Sequence, residues 1–95
     1  MVKSMPYQET LVASGKTEIV IRKFSEYSDS EEFKWHWDNE DRLVHSVHET
    51  DWKLQFDNKL PMQIKSTIKI PKKTWHRLIK GTGDLSVIVE KLGDI

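Results

Sequence analysis

Apolar and polar residues alternate along most of this chain with a period of two rather than 3.6, the spacing of strands that bury one face. Thr17 to Phe24, TEIVIRKF, sets Ile19 and Ile21 on one face and Val20, Arg22 and Phe24 on the other. Phe33 to Trp37 places Phe33, Trp35 and Trp37 opposite Lys34, His36 and Asp38. Arg42 to Val47 and Trp52 to Phe56 flank a turn at Glu49 to Asp51, the pattern of a hairpin. Met62 to Ile70 directs Ile64, Ile68 and Ile70 to one side and Lys65, Thr67 and Lys69 to the other. Pro71 lacks the amide hydrogen a ladder needs, so it ends that strand, and Lys72-Lys73 forms an exposed turn. In Thr74 to Ile79, Thr74, His76 and Leu78 face away from Trp75, Arg77 and Ile79. Gly81-Thr82-Gly83-Asp84 then turns the chain into the β-branched run Leu85 to Val89.

Residues 1–16 alternate poorly and read as an N-terminal arm with one short strand near Tyr7 to Val12, leaving 17–95 as a single domain. Ser25 to Glu32 reads as a polar loop, and no long stretch carries the period of an amphipathic helix. Seven or eight short strands, roughly one per ten residues, predict an all-β antiparallel barrel or sandwich.

Composition removes several function classes. Ninety-five residues enclose one core and leave no room for a second catalytic domain. Fifteen Lys and Arg balance fifteen Asp and Glu, so no net basic field exists to hold nucleic acid. The absence of cysteine excludes disulfides, thiolate catalysis and thiolate metal sites, and fits a reducing compartment. The first residues lack the apolar core of a signal peptide, and no segment approaches the roughly 20 apolar residues of a membrane span. The expected setting is therefore cytoplasmic, without nucleic-acid or membrane partners. No Gly-x-Ser-x-Gly elbow places a nucleophile. Glu31-Glu32 and the acidic residues of Asp38 to Asp41 lack the order of a calcium loop and read as solvated turns. Four Trp in so short a chain suit a core or a subunit interface, and Trp35 and Trp37, adjacent on one outer face, predict a homodimer contact or cover from the arm.

The candidate chemistry sits in two stretches, KWHWDNEDR (Lys34 to Arg42) and IPKKTWHRLIK (Ile70 to Lys80). In register they read Ser30, His36-Trp37-Asp38, Arg42, Glu49 and then Lys65, Pro71-Lys72-Lys73, His76, Lys80, with fifteen residues between. This spacing resembles the two motifs of the small cupins: Gly, five residues, His-x-His, three or four residues, Glu, six residues, Gly; then Gly, five residues, Pro-x-Gly, two residues, His, three residues, Asn. The resemblance covers Thr17 to Leu92 and implies an antiparallel double-stranded β-helix, the cupin-type jelly-roll barrel. It also implies a ligand set, since in that family the His residues and the Glu hold one divalent metal. Carried over, His36 and His76 match ligands, Asp38 replaces the second His, and Arg42 stands where the Glu would be.

His36, Asp38, Arg42 and His76 thus line the expected ligand pocket, with His36, Asp38 and His76 as candidate metal ligands. Arg42 stays charged, and either pairs with Asp38 in the metal's place or grips a substrate carboxylate beside it. The cofactor is accordingly none or one divalent transition metal, Fe, Mn, Ni or Zn. Three functional readings follow. The first is a binder of a small polar or anionic molecule; the second a metal-dependent oxygenase, isomerase or lyase; the third an interaction module using the Trp-bearing surface. His45 falls on the face opposite Arg42 and His48 beside a turn, which suits surface or interface roles.

Overall fold

The computed structural model describes residues 7–15 and 17–93. Among them run eight strands and one 3-10 turn: β1 Gln8–Ala13, β2 Thr17–Phe24, the 3-10 turn Glu31–Phe33, β3 Asp41–Ser46, β4 Lys53–Phe56, β5 Met62–Gln63, β6 Ile68–Ile70, β7 His76–Ile79 and β8 Leu85–Leu92. They form two sheets, ordered β1-β2-β8-β3-β6 and β5-β4-β7, and every pairing is antiparallel. This is an antiparallel jelly roll. The expected arm contributes β1, which pairs along β2 from Gln8↔Lys23. Residues 1–6 and 16 of the arm, and 94–95 of the domain, lie outside the described residues.

The core follows the alternation. β2 and β8 pair without a slip, so Val20, Arg22 and Phe24 lie opposite Val89, Val87 and Leu85, and all six are buried. Leu54 and Leu78 of the three-stranded sheet close the same cluster from the other side. Tyr7, Phe24, Phe33 and Trp52 extend it as tilted aromatic pairs with ring centroids 5.0 to 6.1 Å apart.

Three expected elements differ. The hairpin of 42–47 with 52–56 does not form: β3 pairs with β6 and β8, whereas β4 pairs with β5 and β7. The chain crosses between sheets at Val47 to Trp52, so Val44 and Leu54 both line the interior from different sheets. The single strand expected over 62–70 splits into β5 and β6, again one in each sheet. Ile64 is buried at the corner and its carbonyl accepts the Ser46 hydroxyl at 2.8 Å. Finally, Phe33 to Trp37 is no strand. Ser30 caps the 3-10 turn by accepting the Glu32 amide at 3.1 Å, which turns Phe33 into the core while Trp35 and Trp37 stay outside.

The crossing loop is stitched to the turn before β8. Trp52 is 0% exposed, and its indole nitrogen donates to the Gly83 carbonyl at 3.0 Å. Gly81 packs so closely that a Cβ there would lie 2.7 Å from the Trp52 nitrogen and 2.8 Å from its Cδ1. Asp51 accepts the Thr82 amide at 2.8 Å, and bonds from Thr82 hold its carboxyl below the usual range. A depressed folded pKa stabilises above the unfolded value and is lost as pH falls through the folded one. Asp51→Ala is therefore expected to lower the melting temperature at neutral pH, with the gap to the parent closing below about pH 4. Thermal melts across that range check it; a gap independent of pH would separate Asp51 from the effect.

Candidate metal centre

A single backbone bridge brings the two histidines together. The His36 amide donates to the His76 carbonyl at 3.0 Å and the His76 amide returns a bond at 2.9 Å. Partners in a hydrogen-bonded antiparallel pair project to the same side, and the ring centroids lie 4.3 Å apart. Each ring then turns the same way. Nδ1 of His36 lies 2.7 Å from the Lys34 carbonyl, and Nδ1 of His76 lies 2.7 Å from the Thr74 carbonyl. A carbonyl can only accept, which assigns the proton to Nδ1 in both rings and presents Nε2 to the interior.

The carboxylates arrive from the flanking turns. Asp38 is held by the turn after Pro71: its carbonyl accepts the Lys73 amide at 2.7 Å, and Asp41 accepts the Lys72 amide at 2.8 Å. Lys73, where the resembled motif has Gly, sits in the left-handed region at φ 58. Asp38 Oδ2 lies 3.3 Å from His76 Nε2, and its Oδ1 lies 3.4 Å from Arg42 Nη1. Glu32 Oε2 lies 2.9 Å from His36 Nε2, and its Oε1 lies 3.5 Å from Arg22 Nη1. Close as they are, His36 Nε2 and Asp38 Oδ2 do not align with these neighbours as hydrogen bonds, so both are buried without a directed partner. Buried polar atoms in that condition are uncommon and cost stability unless something else fills the gap.

The electrostatics are those of a crowded set of ions. Burial alone would lower the His36 pKa, but Glu32, the Lys34 carbonyl and Asp38 outweigh it and hold it above the ordinary value. Burial would raise the carboxyls of Glu32 and Asp38; His36 and Arg22 hold the first below its usual value, and His76 and Arg42 the second. Arg22, 6% exposed on the inner face of β2, donates from Nε to Glu9 at 2.8 Å and stacks 4.8 Å over Tyr7. Arg42 gives its shortest bonds to Glu40, at 2.8 and 3.0 Å.

All four expected site residues, His36, Asp38, Arg42 and His76, line one interior cavity of about 50 Å³. Liquid water occupies about 30 Å³ per molecule and drug-sized ligands need about 300 Å³ or more, so the space between these side chains takes an ion and a water-sized group. Among the described residues, His36, Asp38 and His76 form the one metal-capable group of three, their ligand atoms all within 4.8 Å of one another. His45 and His48 do not line this cavity; His48 borders an open groove of about 920 Å³ near Ser46 to Asp51, which lacks that group. Glu32 and Arg22 also line the interior cavity and were not expected there. For Glu32 the solvated-turn reading is corrected by the 3-10 turn, which rotates its side chain inward. For Arg22 a signal existed: it lies on the buried face of β2, and a buried guanidinium needs carboxylate partners.

The fold is that of solved cupins. A cupin superfamily protein from Desulfitobacterium hafniense superposes with a TM-score of 0.71 at 14% identity, covering 99% of this chain and 84% of that one. KdgF from a Halomonas species superposes with a TM-score of 0.72 at 13% identity, covering 99% and 87%. A cupin domain from Bordetella pertussis superposes with a TM-score of 0.67 at 11% identity, covering 99% and 100%. No protein-family model matches the sequence, and no curated protein is significantly similar to it. At these identities the likeness establishes the fold and assigns no activity.

Proposed function

We propose that this chain, which has the cupin fold, binds one divalent transition metal through His36, His76 and Asp38 and holds a small polar ligand at that ion. The observation that carries this reading is the pair of buried, undirected ligand atoms, His36 Nε2 and Asp38 Oδ2, beside His76 Nε2. Two neutral imidazoles and a carboxylate suit Fe, Mn, Ni or Zn in the +2 state.

When bound, the ion supplies a Lewis acid for an oxygen of the ligand. The chain's own residues do the positioning. The Nδ1 bonds to Lys34 and Thr74 fix both rings, and Arg42 holds Asp38 from the side away from His76. Arg42 pairs with Asp38 Oδ1 at 3.4 Å but gives its shortest bonds to Glu40, which leaves Asp38 Oδ2 for the ion in this reading. Protein purified without a chelating tag after metal-replete growth is expected to carry about one equivalent of metal, and Arg42→Ala to keep that stoichiometry. Elemental analysis of both decides it; a metal-free parent would overturn the reading.

A second reading concerns the outer surface. Trp35, Trp37 and Trp75 are 40%, 43% and 48% exposed, and Arg77 lies 4.7 Å over the Trp35 ring. In the register of the His36↔His76 bridge, Trp37 stands opposite Trp75 and Trp35 opposite Arg77, one patch on the face away from the histidines. The described part of the arm lies along β2 and leaves the patch open. Contact between two copies across this patch is the reading it supports. Sedimentation at tens of micromolar is expected to give a dimer that Trp37→Glu dissociates; an 11-kDa species for the parent would count against it.

A further inference from the structure

The two halves of the site repeat one another. On one side Arg22 Nη1 takes Oε1 of Glu32, whose Oε2 lies beside His36 Nε2. On the other, Arg42 Nη1 takes Oδ1 of Asp38, whose Oδ2 lies beside His76 Nε2. Each histidine gives Nδ1 to the carbonyl two residues before it, and the pair is joined by the bridge between 36 and 76. The unit arginine, carboxylate, imidazole therefore occurs twice around one cavity.

From this repetition we infer that Glu32 is the fourth protein ligand of the metal, supplying from the 3-10 turn the carboxylate that the position of Arg42 lacks. The inference rests on the metal reading above. Its geometric support lies in the contact between Glu32 and His36. Two oxygen or nitrogen atoms bound to one ion at about 2.1 Å stand roughly 3.0–3.4 Å apart, and their lone pairs aim at the ion rather than at each other. Glu32 Oε2 to His36 Nε2 is 2.9 Å and Asp38 Oδ2 to His76 Nε2 is 3.3 Å. In each contact one atom, His36 Nε2 in the first and Asp38 Oδ2 in the second, is a buried atom with no aligned hydrogen bond. Glu32 stands outside the group of three whose ligand atoms lie within 4.8 Å of one another, so it would join the ion from its contact with His36 by a turn of its side chain. Arg22 does not compete, because it occupies the other oxygen of Glu32, as Arg42 does for Asp38. The cap from Ser30 fixes the turn, so the carboxylate is delivered from a short, defined segment rather than a free loop.

The test is a competition titration of the metal-free protein with Zn(II) against a chromogenic chelator, paired with the visible spectrum of the Co(II) form. Parent, Glu32→Gln, Glu32→Asp and the exposed neighbour Glu31→Gln are compared, with the metal-free melting temperature of each. Glu32→Gln is expected to bind more than about tenfold more weakly and to change the Co(II) ligand-field bands, while Glu31→Gln matches the parent. Glu32→Asp keeps a charge for Arg22 but withdraws the carboxylate by one methylene, so it should also lose affinity even where Glu32→Gln folds poorly. Parent-like affinity and spectra in both Glu32 variants would overturn the inference and leave the three-ligand reading standing. A parent that takes up neither ion would overturn both.

Discussion

His76→Ala is expected to weaken Zn(II) or Ni(II) binding by more than about 100-fold, beyond the 10–100-fold that changes around a site's ligands usually cost. His76 is 3% exposed at the start of β7, its Nδ1 committed to the Thr74 carbonyl. Its remaining nitrogen has Asp38 as its neighbour at 3.3 Å. His36→Ala should behave alike, because its Nε2 is one of the three grouped ligand atoms and the backbone bridge survives the change. His45→Ala is the control, since His45 does not line the cavity. Competition titrations on the three variants, with metal-free melts to verify folding, give the answer. Unchanged affinity in His76→Ala would strike His76 from the ligand set and place the metal somewhere other than this cavity.

The largest effect on stability is expected at Trp52. Deleting a buried aromatic side chain costs about 3–5 kcal/mol, a large share of the roughly 5–15 kcal/mol that holds a domain together. Here the ring is 0% exposed and packs 6.1 Å from Phe24 and 5.9 Å from Phe33. Trp52→Ala also strips the Gly83 carbonyl of its donor at the turn before β8. Trp52→Phe keeps a ring and loses chiefly that bond, about 1 kcal/mol. Urea titrations should rank parent, Trp52→Phe and Trp52→Ala in falling midpoint. Equal midpoints would mean that the crossing loop contributes nothing to the core.

Period-two alternation carried the strand faces from sequence to structure. Val20, Arg22 and Phe24 are buried together on β2, and His76 and Leu78 on β7, as their spacing predicts. Alternation says which way a side chain points but is blind to which strand lies beside it. A hairpin and a crossing between sheets therefore read alike over 42–56, and a strand that changes sheets at Ile64 reads as one strand. The candidate site was legible through the motif spacing at His36, Asp38 and His76, which line one cavity. Glu32 was not, because its direction depends on a turn made by one Ser30 cap. The preference of Arg42 for Glu40 was hidden for a related reason: its neighbours i−2 and i−4 are both acids, and only the path of the chain through 38–42 decides between them.

The bridge between His36 and His76 has a consequence for how an ion is chosen. With two backbone bonds between the residues and one from each ring to the carbonyl two residues before it, the imidazoles are held in place before any ion arrives. Little rotational freedom is left to surrender when the ion enters. A rigid pair of nitrogens cannot follow an ion to its preferred bond lengths, so on the proposed metal reading selection would rest on fixed geometry more than on raw affinity.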